Sequence, residues 1–359
     1  MTSEKSHNKR VTELLVSFEL QVAMENPEVP GIPVNEFCAV KASPGKGRGL
    51  FAACDLRVGT HILSDRHIVK IPGIVLDPDA LTKLEIEFLT IAISEQLKEI
   101  SKEKQREFFS LENAHKEVLG VFLGTAMTNA MAMGVQAKAC GVYLNVSRIN
   151  HGCRPNAVAI FNDSGEVMIH VVKSIPKGKE ITITYIEPAL TFSVRKNHLK
   201  HRFGFNCTCE LCSRSPEERY ASDMRLGAIV LLSNTIRVEG IAINEPLETL
   251  QNAHALWFLL KEEGIAEMIA PTFYYDAAII AFAHGDRART KVFAEKAKKA
   301  ARLAYGANHT ITAGADMLVN DPVAFGLIQK TTRWKQEVDK IPRGLSRRDF
   351  DKWLWKEEN

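Results

Sequence analysis

The apolar positions of this chain change period several times along its length. Phe37-Cys-Ala-Val-Lys, Gly49-Leu-Phe-Ala-Ala, His61-Ile-Leu and His67-Ile-Val-Lys-Ile are short β-prone runs separated by Gly, Pro and Asp, which predicts small twisted sheets. From Pro78 to Ala132 the spacing becomes helical. Leu81, Leu84, Phe88, Ile91, Ile93 and Leu97 recur at helical intervals, and Phe108, Leu111, Val118, Phe122 and Met127 do so again after a charged break. A helical insertion inside a β domain is therefore expected. Strand character returns in Val142-Tyr-Leu-Asn-Val, Ala157-Val-Ala-Ile-Phe, Val167-Met-Ile-His-Val-Val and Ile181-Thr-Ile-Thr-Tyr185, with turns at 162–165 and at Pro176-Lys-Gly178.

Beyond Pro216 the pattern is helical almost throughout. Pro271 can start one helix, Gly285-Asp286 can break it, and a second runs to a C-cap at Gly306. A pair of that length looks like a tetratricopeptide unit. Only one such pair is clear, which predicts a short helical array and not a long solenoid. Trp334, Trp353 and Trp355 mark the end of the chain, where Asp349-Phe-Asp-Lys-Trp-Leu-Trp is expected to dock back on the body. At the other end, residues 1–35 mix charge with Pro27, Pro30 and Pro33 and read as a loosely packed extension, with order beginning near Phe37.

Composition narrows the class. The chain has 359 residues, 45% hydrophobic and 25% charged, enough to bury sizeable cores. No apolar run reaches the roughly 18 residues that span a membrane, and MTSEKSHNKR lacks the apolar core of a secretory signal, so an intracellular protein, cytoplasmic or nuclear, is expected. A formal charge of +3 with dispersed Lys and Arg gives no electrostatic case for nucleic acid. The densest basic stretch, Lys291 to Arg302, carries apolar residues at helical spacing and reads as a solvated helix face.

The cysteines bring in chemistry. There are seven, an awkward number for a disulfide framework, and three of them fall within six residues as Cys207-Thr-Cys209-Glu-Leu-Cys212. Three so close cannot pair into two disulfides, but they can give three thiolates to one tetrahedral zinc. The fourth ligand must come from elsewhere, with Cys153, His198 and His201 as candidates.

Arg148-Ile-Asn-His-Gly-Cys-Arg-Pro-Asn156, a tyrosine at a strand end, Tyr185, and the Cys-x-Cys-x-x-Cys module, in that order, resemble the SET-domain protein methyltransferases. The resemblance covers about residues 37–213. It implies an α+β fold: small twisted β-sheets with a pseudoknot, a helical insertion, a zinc-binding post-SET loop and an α-helical, tetratricopeptide-like C-terminal domain. The implied segments are an extension over 1–35, a SET domain over 36–190 with its insertion at 78–140, a zinc module over 191–216, helices over 217–343 and a tail over 344–359.

Residue by residue, the resemblance implies that Lys46, Gly47 and Arg48 of the glycine-rich turn, Asn129, Asn150, His151, Tyr185 and Phe205 bind S-adenosylmethionine. Tyr185 is the implied catalytic residue, Met131 and Phe203 line the substrate channel, and Cys153 joins Cys207, Cys209 and Cys212 on one structural zinc. Phe203 stands where the SET-and-MYND branch usually has a second tyrosine, and no MYND-type Cys/His cluster occurs between Lys70 and Tyr143. The likeness is thus nearest to the MYND-less SET proteins common in fungi. The expected activity is methyl transfer from S-adenosylmethionine to a lysine of a protein substrate. A non-catalytic SET scaffold, or an enzyme acting on a small-molecule substrate, are the alternatives.

Overall fold

The computed structural model describes residues 32–73, 78–134, 137–162 and 164–357. The extension expected over 1–35 falls outside the described residues as far as residue 31, and the chain is already paired before Phe37. Strand β1 (Ile32–Pro33) lies antiparallel to β2 (Cys38–Ser43), which forms a hairpin with β3 (Gly47–Ala52). Three small sheets follow from the short apolar runs. The first has the order β1-β2-β3-β11-β8, where β11 is Glu180–Ile183 and β8 is Asn150–His151. The second places β10 (Val167–Val171) between β4 (His61–Asp65) and β9 (Ala157–Phe161). In the third, β7 (Ala139–Val142) lies between β5 (Val69–Pro72) and β6 (Met131–Ala132).

Alternation along β10 shows how the sequence builds the core. Val167, Ile169 and Val171 point into one apolar cluster with Leu50, Ile62, Ile149, Ile181 and Ile183, while Met168 and His170 face the other way. The parallel pairing of β8 with β11 sets Asn150 opposite Thr182 and His151 opposite Ile183. The two segments that the expected pseudoknot joins thus lie side by side.

The insertion is helical: α1 (Lys83–Lys98), α2 (Lys102–Phe109) and α3 (Lys116–Asn129). Thr82 starts α1 through a capping box with Glu85. Two expectations change here. The charged break between the apolar runs is itself α2, started by Ser101, because its charges sit on a solvated face. And Leu84, Phe88 and Ile91 lie 75%, 62% and 62% exposed, whereas Leu89, Ile93 and Leu97 enter the core with Val69, Ile71 and Leu123. The helix is apolar on more than one side, so periodicity gives its existence but not its inner face.

After β11 the chain forms α4 (Phe192–Phe203), a cysteine-bearing loop, and then α5 (Pro216–Thr235), α6 (Glu239–Asn244), α7 (Pro246–Glu262), α8 (Ala266–Ala283), α9 (Arg287–Tyr305) and α10 (Thr310–Asn320). Helix α8 begins five residues before Pro271, which sits inside it and not at its start. It ends at Gly285-Asp286 as expected, and Asp286 caps α9, which runs to Gly306. Helices α8 and α9 pack together around Phe273, Ala277, Phe293 and Ala294. The last helix, α11 (Arg347–Trp355), docks on this cluster, burying Leu354 and Trp355, and the Trp355 ring stacks on His254 at 4.7 Å.

Candidate active site and metal centre

The β2–β3 hairpin brings its glycines to the segment around Asn150. Gly47 has φ +72°, and a Cβ added there would meet no atom within 4 Å, so it serves the turn. At Gly49 the demand is for space: a Cβ there would lie 2.5 Å from Glu180 Oε1 and 2.8 Å from Asn150 Nδ2. Glu180 accepts hydrogen bonds from Ser43 Oγ at 2.8 Å, Asn150 Nδ2 at 2.8 Å and Lys46 Nζ at 2.9 Å. Lys46 and Asn150, singled out from the sequence, are therefore joined by a carboxylate that sequence reasoning missed. Its only local signal is an acidic residue opening an apolar strand. Asn150 Nδ2 also donates to Arg48 O at 3.2 Å. The Arg48 guanidinium instead turns to Ser110 O at 3.0 Å, where Arg148 donates at the same distance. Burial and the like charge of Arg48 push Arg148 down to about 10.

His151 is buried and its tautomer follows from its neighbours. The Tyr185 backbone N–H donates to Nδ1 at 3.1 Å, so the ring proton sits on Nε2, 3.2 Å from Cys153 Sγ. Burial holds His151 down at about 4, so the ring stays neutral. The Tyr185 hydroxyl donates to Ile149 O at 2.6 Å. Burial, then the Glu180 charge, push this phenol well above its ordinary value, so it acts as a neutral hydroxyl and not as a phenolate base. The hydroxyl's hydrogen is thereby committed, and its oxygen remains an acceptor for another contact.

Around these two residues the aromatic side chains converge. Tyr185 lies 4.9 Å from Phe203 and 6.4 Å from Phe205, and His151 lies 6.2 Å from Phe205, centroid to centroid. Gly204, left-handed at φ +77°, ends α4 and turns the chain between the two phenylalanines; a Cβ there would meet Ala114 Cβ at 2.9 Å. Met131 packs against the same apolar cluster as Tyr185. Asn129 is placed differently. Its amide donates to Glu112 O and Thr125 O, both at 2.8 Å, and so ties down the end of α3.

Beneath this group lies the cysteine cluster. The Sγ atoms of Cys153, Cys207, Cys209 and Cys212 are all within 4.8 Å of one another, with Cys153 at 3.9 Å from Cys207 and 3.5 Å from Cys212. Zinc–sulfur bonds of about 2.3 Å imply sulfurs about 3.8 Å apart on a tetrahedron, so the donor set fits zinc. Competition among the thiols points the same way. Four thiolates packed this closely repel one another, so a cation is needed for all four to be deprotonated together. His198 and His201 are not in the cluster, and His201 pairs with Asp79 at 3.6 Å. Four protein ligands leave no open position, which makes the centre structural. Its loop has little core of its own: Leu211, Cys153 and Cys212, with Phe192 against them.

A SET-domain family model matches residues 47–186. The chain is 30% identical over 273 residues to the histone-lysine N-methyltransferase set5 of Schizosaccharomyces pombe, covering 76% of this chain and 80% of that one. It is 39% identical over 79 residues to the Arabidopsis thaliana histone-lysine N-methyltransferase ASHR1, covering 22% of this chain and 16% of that one. Over 93 residues it is 30% identical to human SMYD3, covering 26% of this chain and 21% of that protein. The solved SET domain of LSMT, bound to lysine and AdoHcy, aligns with 91% of this chain and 89% of its own at 13% identity, with a TM-score of 0.29. A match spanning most of both chains in the fission-yeast protein, together with the domain match across the Asn150 and Tyr185 segments, places the chain in the SET-domain family.

Proposed function

We propose that this SET protein transfers a methyl group from S-adenosylmethionine to a lysine side chain of a protein substrate. The observation that carries the reading is the convergence of Asn150, His151 and Tyr185 beside the aromatic pair Phe203 and Phe205. The relatives named above as histone-lysine N-methyltransferases support the same class of acceptor. The cofactor supplies a methyl already activated on a sulfonium, so the protein's tasks are alignment, desolvation and keeping the acceptor amine uncharged. In this proposal the crevice between 46–48, Asn150, His151 and Phe205 holds the cofactor. The neutral Tyr185 hydroxyl, fixed by its hydrogen bond to Ile149 O, would offer its oxygen as acceptor to the methyl hydrogens. Phe203 and Met131 line the path of the lysine and exclude water. With the cofactor bound, the amine nitrogen would form the new bond to the methyl carbon as the carbon–sulfur bond broke, and the amine proton would leave to solvent. Among the described residues no helix is long and apolar enough to cross a membrane, and a cytoplasmic or nuclear enzyme is part of this proposal.

Tyr185→Phe tests it. The variant keeps the ring in its aromatic cluster but loses the hydroxyl, and turnover should fall about 100-fold, equivalent to roughly 2.7 kcal/mol of barrier, with cofactor affinity nearly unchanged. Intact-mass counting of methyls on protein in a lysate, beside calorimetry of cofactor binding, reads both quantities. Full turnover in the variant would refute the catalytic assignment, and transfer confined to small molecules would refute the proposed substrate class.

A further inference from the structure

The segment from Asn150 to Asn156 is held at nearly every residue by the SET core. Gly152 N–H donates to Ile183 O at 2.9 Å. Asn156 Oδ1 accepts from Thr182 N at 2.8 Å, and its amide donates to Glu180 O at 2.9 Å. Arg154 alone also reaches beyond it. Its Nη2 donates at 2.5 Å to Oε2 of Glu263, the C-cap of α7 in the C-terminal helices.

Glu263 has a fully buried side chain and serves three donors. Besides Arg154, Oε2 accepts from Ser222 Oγ at 2.8 Å, and Oε1 accepts from Arg225 Nε at 2.7 Å, both on α5. Burial pushes the carboxyl up, but the hydrogen bonds from Arg154, Ser222 and Arg225 outweigh it and hold it below its ordinary value, so it is an anion. On the other side, the Arg154 guanidinium that meets Glu263 also donates through Nη1 to Cys153 O at 2.8 Å and Pro188 O at 3.1 Å. One planar fork thus joins the helical region to the backbone of a metal-ligand residue, two positions from His151. A second strut runs alongside, from Lys173 Nζ to Gly264 O at 2.6 Å, and the Lys173 N–H donates to Asn156 O at 3.1 Å.

We infer that Glu263 is a positioning residue for the methyl-transfer site: through Arg154 it fixes the Cys153 backbone, and so couples the C-terminal helices to zinc retention and to cofactor binding. Glu263 touches neither metal nor cofactor crevice and acts only through Arg154. The inference rests on the proposed methyltransferase reading for its cofactor half. The zinc half stands on the cysteine geometry alone. Partners that orient metal ligands from outside the coordination sphere change metal affinity by roughly 10- to 100-fold when lost. Cutting this buried pair also leaves a charge without its partner.

The experiment uses the full-length zinc-loaded protein and three variants, Glu263→Gln, Arg154→Met and Arg225→Ala. Zinc release to a chromogenic chelator is followed by absorbance, with the KM for S-adenosylmethionine, kcat and Tm measured on the same samples. Glu263→Gln and Arg154→Met should release zinc roughly tenfold faster and raise the cofactor KM by a similar factor, with kcat at saturating cofactor within about twofold of wild type. Arg225→Ala, which removes one of the two contacts of the same carboxylate inside the helical region, should lower Tm while zinc release stays as in wild type. A merely structural Glu263 would give the Arg225→Ala pattern in all three variants, and that result overturns the inference. If either single change prevents folding, Arg154→Met with Glu263→Leu removes both charges together, and wild-type zinc release in that double variant overturns the inference equally. Because zinc release needs no activity, a wild type that retains zinc but binds no S-adenosylmethionine defeats the methyltransferase reading while leaving the Glu263 result decisive.

Discussion

Gly49 shows how much of the candidate site depends on a single missing side chain. A Cβ there would lie within 2.8 Å of both Glu180 Oε1 and Asn150 Nδ2, so Gly49→Ala must separate the hydrogen bond that ties Asn150 to β11. Overpacking of this kind costs about 1–3 kcal/mol, and here the strain falls on the proposed cofactor contact. Gly49→Ala is expected to weaken S-adenosylmethionine by at least tenfold, about 1.4 kcal/mol, in calorimetry on folded protein. Wild-type affinity would show that Asn150 does not need Glu180 to bind. At this scale the sequence was legible wherever a residue announces itself by type and neighbours: His151, Tyr185, Phe203 and Phe205 do meet, and Cys153 does stand with the three clustered cysteines. It was silent on Glu180 and Glu263, ordinary acidic residues in sequence. Glu180 acquires its role only when partners at 43, 46 and 150 fold onto it, and Glu263 only by meeting a residue 109 positions away.

Elements were legible in proportion to how local their signals are. The Gly285-Asp286 break and the glycine at 306 were read because they mark helix ends through contacts within one turn, whereas the capping boxes at Thr82 and Ser215, equally local, were found only in the structure. The buried side of α1 and the start of α8 ahead of Pro271 depend on what packs against them, and pattern alone misplaced both. The loop after Gly204 is the opposite case, an element with almost no apolar content that the cysteines make interpretable. Beyond Phe205, which meets His151 and Tyr185, its packing consists of Leu211 with the four cysteines and Phe192. Structural zinc contributes on the order of 10 kcal/mol to small metal-held folds, far more than that packing can supply. Cys209→Ser is therefore expected to strip the metal and expose residues 205–213 to hydrogen exchange, while the α8–α9 pair keeps wild-type protection. Metal analysis and exchange mass spectrometry read both. A variant that loses zinc yet keeps the loop protected would show that the loop is held by something other than the metal.

On the scale of the whole molecule, two of the places where the described SET core meets the C-terminal helices differ in chemistry. One is the ionic clasp around Glu263. The other is a histidine joint, where the outward face of β10 presents His170 to the turn between α9 and α10. His170 is buried, and its Nδ1 has no hydrogen-bond partner. A Cβ on Gly306 would lie 3.1 Å from its Nε2. The groups around it are His61 on β4, with ring centroids 5.0 Å apart, and His309, which caps α10 and approaches Phe161 O at 3.1 Å through Nε2. Burial, and then the like charges of His61 and His309, push His170 down to about 4. In the unfolded chain a histidine titrates near 6.5, so the unfolded state takes up a proton first as pH falls. The joint's contribution is thus fully present above about pH 6.5, declines through the interval down to about 4, and is constant below it. His170→Gln cannot be protonated, so it should lose less Tm than wild type between pH 7.5 and pH 5. Hydrogen exchange in wild type at pH 5 should rise first in β9, β10 and the 305–310 turn, ahead of the β2–β3 hairpin. Equal losses of Tm in the two proteins would mean that another group sets the acid sensitivity, and that the helices are held to the SET core without regard to the charge of His170.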